Sequence, residues 1–147
     1  MPTMQEVLAD NAKRKSLIED CATLIEEEVR GKGGLSGIAI KTGYKVVKGF
    51  KPGFIERTTD SLLDDFADRL QPFVEEAKGK SKPVSSHFVS EKSRIADALL
   101  GITDKRAERS SHKAVASAYT KLRPTAKKHV EEAVPGVGRL IEKYTGG

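Results

Sequence analysis

Ile55, Leu62, Leu63, Phe66, Leu70, Phe73, Val74 and Ala77 return at helical spacing, and no stretch of the chain alternates apolar and polar residues convincingly with period two. One apolar face every 3.6 residues is what a buried helix needs, whereas a half-buried strand needs strict alternation. The helical period recurs at Leu17, Ile18, Cys21, Leu24, Ile25 and Val29, and again at Phe88, Ile95, Leu99 and Ile102. The chain therefore reads as all-α. Its 147 residues suffice for one sizeable core, and shorter pieces bury proportionally less surface. The expectation is one helical domain over 1–147, a compact bundle of roughly five to seven helices without a sheet.

The boundaries follow from the breakers. Residues 4–11 read as a short lead-in turn, and 13–30, 36–48 and 54–78 as three longer helices. Pro72 removes a backbone donor inside the third, which predicts a kink or restart near Leu70. GKSKPVSS at 79–86 is the one loop of any length. Beyond it the spacing predicts a helix from 86 to 102, with Thr103 capping a short DKRAER helix. Three further helices follow: 115–122, ended or kinked by Pro124; 126–134, closed by Pro135-Gly136; and 137–144. Residues 1–4 and 145–147 are expected to fray.

The stretch from 30 to 54, RGKGGLSGIAIKTGYKVVKGFKPGF, differs from the mixed-charge helices around it. It holds Arg30, Lys32, Lys41, Lys45, Lys48 and Lys51, no acid, and seven of the thirteen glycines. Ser36 is a good N-cap, with Leu35 and Ile40 spaced as a hydrophobic staple around it. At about 100° per residue, Ala39, Gly43, Val46, Val47 and Phe50 fall on one side, with Lys41, Lys45 and Lys48 opposite. Glycine inside a helix costs about 1 kcal/mol relative to alanine. On the apolar side, Gly43 therefore predicts the close approach of another helix.

Two readings of the lysines stand. They form a solvated face, or they and Lys51 form a docking stripe for phosphate or an anionic lipid surface. A solvated face is the commoner outcome for such a row, and the absence of acids shifts the reading slightly toward docking, since faces built for solubility mix signs. Asp60, Asp64, Asp65 and Asp68 make an acidic outer face on 54–78 that is a candidate counterpart for the stripe, within the molecule or in a second copy.

Catalytic patterns are absent. The run from Gly37 to Thr42 has Ile40 where a phosphate-binding loop needs glycine before the lysine. A di-metal bundle needs Glu-x-x-His on two helices. Glu108 precedes His112 by four residues and His129 precedes Glu132, so neither fits, and all three histidines read as structural or solvated. Cys21 has core spacing, and as the only cysteine it excludes a disulfide framework and a multi-cysteine zinc site. No catalytic residue, metal ligand or cofactor is assigned, and the chain reads as a non-enzyme.

Net charge is +5, which permits an anionic partner without requiring one. Lys105, Arg106, Arg109 and Lys113, and then Lys121, Arg123, Lys127 and Lys128, form further basic clusters, diluted by Asp104, Glu108, Glu131 and Glu132. Aromatics are only 5% and tryptophan is absent, which argues against a base-stacking reader of single strands. No apolar run approaches the ~20 residues of a membrane span, and no signal-peptide core is evident. A cytoplasmic protein is expected.

GLSGIAIKTGYKVV, PGFI, ADALLGITDKRAE and AYTKLRPTAKKHVEEAVP, in that order, resemble a family of small bacterial proteins of unknown function. Gly43 stands where alanine is expected in that family, which suits a small-residue contact. The resemblance implies an all-helical protein and no activity. Two functional expectations remain. The first is a helical module that self-associates or binds an anionic macromolecule, nucleic acid or membrane, through Lys41, Lys45, Lys48 and Lys51. The second is a carrier or regulator holding a small ligand in an apolar pocket between helices, lined by Tyr44, Phe50, Phe66 and Tyr119.

Overall fold

Seven helices joined by short connections make up the computed structural model, which describes residues 2–146, and no strand occurs among them. They are α1 (Met4–Ala9), α2 (Asn11–Arg30), α3 (Gly34–Phe50), α4 (Phe54–Gly79), α5 (Val84–Ser90), α6 (Lys92–Glu108) and α7 (Lys113–Thr145). The two longest, α4 and α7, never approach one another: no Cα of one lies within 8 Å of a Cα of the other. Each of the five remaining helices packs against both. The architecture is thus two long rods bridged on several sides.

The main apolar cluster joins the rods at one end. Leu70, Phe73, Val74 and Ala77 of α4 meet Val134 and Ile141 of α7 through Val84 and Phe88 of α5 and Ile95 of α6. Phe73 and Phe88 stack edge to face, their ring centres 6.4 Å apart. At the N-terminus a capping box between Thr3 and Glu6 starts α1. The Asp10 carboxylate then accepts from the Lys13 amide at 3.1 Å and starts α2 as a separate helix. Arg14 ties that helix to α4. Its guanidinium donates to Asp60 at 2.7 Å, to Asp64 at 3.2 Å and to the Asp60 carbonyl at 2.9 Å.

Several boundaries differ from the sequence reading, each for a local reason. The segments at 115–122, 126–134 and 137–144 are one helix, α7, which runs through Pro124 and Pro135. A proline inside a helix costs about 3 kcal/mol when nothing else holds the backbone. Here packing holds it on either side of each ring. Leu122 sits against Gly43, Leu24 of α2 against Gly136, and Ser85 and Phe88 of α5 against Gly138. Pro135-Gly136 is therefore a packing notch and not a stop.

Pro72 likewise lies within an unbroken α4. Thr103 is interior to α6; its hydroxyl donates to the Leu100 carbonyl at 3.2 Å and meets the Tyr119 hydroxyl at 2.8 Å. The helix expected over 86–102 starts earlier, at Val84, and breaks at Glu91, so the loop shrinks to 80–83. Ser36 is not the cap of α3. Gly33 holds that position, and the Lys32 backbone passes 2.8 Å from where a β-carbon on Gly37 would stand. Leu35 makes no staple, being 89% exposed.

The notches make an unusual prediction about glycine. A β-carbon on Gly138 would lie 2.8 Å from the Cα of Ser85, whereas one on Gly101 in α6 would meet nothing within 4 Å. Gly138→Ala is expected to destabilise by about 1–3 kcal/mol despite its better helix propensity. Gly101→Ala should stabilise by up to about 1 kcal/mol. Urea unfolding of the two variants measures both signs.

Candidate docking surface on helix α3

Gly43 sets the orientation of α3. It is buried, and Leu122 of α7 reaches within 2.6 Å of the position its β-carbon would take. Ile40, Tyr44, Val47 and Phe50 are half-buried around it. Ala39 and Val46, expected on the inner side, are exposed. The buried face is therefore turned by about 50° from the one the apolar spacing implies. The turn leaves Leu35 (89% exposed), Ile38 (63%) and Val46 (42%) facing outward, with Ala39, Thr42 and Gly49 between them.

Lys41, Lys45 and Lys48 run along one edge of this outward apolar stripe, all exposed. Lys51, also exposed, lies just past the helix end, with its ammonium 5.4 Å from the centre of the Phe50 ring. The acidic face of α4 does not serve them: Asp60 and Asp64 are engaged by Arg14. Of Lys41, Lys45, Lys48 and Lys51, only Lys48 has a carboxylate of the described residues within 4 Å, Glu26 at 3.8 Å, which Arg30 also holds at 3.2 Å. The surface thus combines free positive charge with exposed hydrocarbon.

The four aromatics Tyr44, Phe50, Phe66 and Tyr119 do not share a pocket. Tyr44 borders a shallow recess with Glu19, Glu26 and Pro52. Phe50 packs edge to face on Phe54 at 5.2 Å and against the His112 ring at 4.7 Å. Tyr119 donates to Asp104, which also takes Arg123 at 2.8 Å. Tyr119 also lines a wider recess of about 490 Å³ with Phe54 and Leu62, and Phe66 lines a separate apolar cavity of about 220 Å³, open on one side, between α4 and the C-terminal half of α7. Cys21, half-buried, belongs to its wall and is not a core residue.

One polar cluster escaped the sequence reading altogether. His87, next to the expected loop, is fully buried, with Nε2 2.9 Å from Glu76. Glu76, His87 and Glu91 bring one ligand-type atom each within 4.8 Å of the others. Arg94 donates to Glu76 at 3.2 Å and to Glu91 at 3.0 Å, so one guanidinium bridges the two carboxylates and offsets part of their charge. The His87 bond, then Arg94, hold the Glu76 carboxyl below its ordinary range. The arrangement is an ion network bracing α4, α5 and α6. Residues eleven, four and three apart on three helices give no motif in the sequence.

A model for a family of unknown function, DUF6918, matches residues 4–145. The chain belongs to that family. The match spans all seven helices, so α3 and its lysines lie inside the DUF6918 region. No curated protein and no solved structure matches the chain. Among the described residues of this DUF6918 member, no helix is long and apolar enough to cross a membrane.

The protonation of the cavity wall gives a pH prediction. Burial, with the charge of Asp20 beside it, pushes the Cys21 thiol up to about 11. Burial and its bond to Asp20 push the Tyr144 phenol up to about 12. Both groups are raised in the fold, so their contribution is complete below the ordinary thiol and phenol range. It is lost as pH rises through the folded values. The melting temperature should fall between about pH 9 and pH 12. Cys21→Ala should flatten the first part of that fall; an unchanged slope contradicts the burial of the thiol.

Proposed function

We propose that this protein is a non-enzymatic module that docks on an anionic membrane surface through α3. The observation that carries the proposal is the pairing, on one outward face, of Leu35, Ile38 and Val46 with Lys41, Lys45 and Lys48. Soluble surfaces rarely leave a row of large apolar side chains beside unneutralised lysines. A helix lying in the headgroup region uses both: apolar side chains enter the acyl boundary and lysines meet lipid phosphates.

Magnitudes support that reading. Each lysine near an anionic leaflet contributes about 1 kcal/mol, so Lys41, Lys45, Lys48 and Lys51 supply roughly 4 kcal/mol. Inserting an exposed Leu, Ile or Val adds about 1.5–3 kcal/mol each. Set against at least about 4 kcal/mol of lost freedom, the sum leaves about 4.5–9 kcal/mol, a millimolar to micromolar affinity. A nucleic-acid partner would use the lysines and leave the apolar row in water. A second copy meeting the same face would bring lysine against lysine.

Sedimentation with vesicles tests this reading. The chain should bind vesicles containing phosphatidylglycerol and not pure phosphatidylcholine, with affinity falling steeply as salt rises. Lys41→Glu, Lys45→Glu and Lys48→Glu together should abolish binding. Leu35→Ser with Ile38→Ser should weaken vesicle binding at least tenfold. Full vesicle binding by either variant contradicts the proposal. So does tight binding to duplex DNA that the serine variant leaves unchanged.

A further inference from the structure

We infer that the cavity between α4 and α7 is a binding site for a neutral, apolar small molecule, a hydrocarbon chain or ring system. It is separate from the α3 face, and of the four aromatics named from the sequence only Phe66 lines it. Three independent features support it.

The first is how the space is made. The two long rods stay more than 8 Å apart at every Cα pair, and α1, α2 and α6 close over the gap. The notches at Gly136 and Gly138 hold α2 and α5 close to α7, which fixes the spacing of the walls. The second is α2. It is a 20-residue helix with a regular apolar row, yet none of its residues is buried. Leu17, Cys21, Leu24 and Ile25 of that row face the cavity. Their partial exposure leaves apolar surface that the atoms of a ligand would cover.

The third is the chemistry of the lining. It contains no charged side chain. Its Tyr144 hydroxyl donates to Asp20 at 2.7 Å, and its Thr145 hydroxyl donates to the Ile141 carbonyl at 2.6 Å. A carboxylate or phosphate brought inside would find no cation and only the Thr59 hydroxyl as a donor, too little to offset the burial of a charge. A hydrocarbon suits the site. An apolar cavity of about 150 Å³ takes benzene. By that ratio the 220 Å³ here covers about nine non-hydrogen atoms, and because the site is open on one side the rest of a longer chain or a further ring extends past its mouth.

The test uses the full chain in vesicle-free buffer, with N-phenyl-1-naphthylamine as fluorescent probe and 1-decanol as competitor. The probe should bind saturably at one per chain, and decanol should displace it. In methyl-labelled protein, decanol should shift the resonances of Leu24, Leu70, Leu140 and Ile141, and leave Leu35 and Ile38 of α3 unmoved. Cys21→Phe, which fills the cavity, should weaken probe binding at least tenfold while the chain stays folded. The triple Lys41, Lys45 and Lys48 to Glu variant should bind the probe as the parent does, which separates this site from the docking face. Absence of saturable binding overturns the inference. Methyl shifts centred on α3, or loss of probe binding in the lysine variant, overturn it as well. The methyl map needs no substitution, so it decides the question even if Cys21→Phe does not fold.

Discussion

At the crossing of α3 and α7, the Leu122 side chain occupies the space that a β-carbon on residue 43 would need. That contact fixes the rotation of α3 about its own axis. Once Gly43 faces α7, geometry at 100° per residue decides the rest: Ile40 and Val47 go inward, and Leu35, Ile38 and Val46 go out. The lysines follow from the same rotation. They end as a border along a hydrocarbon stripe and not as the pole opposite a buried one. The exposed chemistry of α3 is thus a consequence of where one glycine sits.

The same device recurs along α7. Leu24 fills the notch at Gly136, and Ser85 with Phe88 fills the notch at Gly138. Three helices seat on one rod through three missing side chains. Close seating of this kind explains how a helix of 33 residues carries two internal prolines, since the backbone around each ring is held from outside. It also lets α7 stand off from α4, with no Cα pair closer than 8 Å. The bridging helices bear the load, the apolar cluster around Phe88 closes one end, and between the rods a greasy space remains. Charge contributes at the margins, where Arg14 clamps α2 to α4 and Arg94 joins three helices through Glu76 and Glu91.

Much of this was legible in the sequence. The helical period over 54–78, the absence of alternation, and the packing role of Gly43 are all consequences of nearest-neighbour geometry, and the structure bears them out. What was not legible depends on residues far apart in the chain. Pro135-Gly136 spells a helix end locally, and only Leu24, more than a hundred positions away, turns it into a notch. The phase of α3 was misjudged because Val46 and Ala39 are apolar, and an apolar residue is ordinarily counted as inward. Tyr44, Phe50, Phe66 and Tyr119 all suggested a pocket by type, but they sit on helices whose mutual rotation no single segment encodes. Cys21 had core spacing and met a cavity, because the partner rod that would have covered it stands off.

The most direct test of the account is the rotation of α3 itself. A nitroxide scan from 35 to 50, one cysteine at a time on a Cys21→Ser background, reads the mobility and water accessibility of each position in solution. The account predicts a helical wave with maxima at 35, 38, 42 and 46 and minima at 36, 40, 43 and 47. A wave of the same period with its minimum at 46 and 39, or a profile with no period, would contradict it.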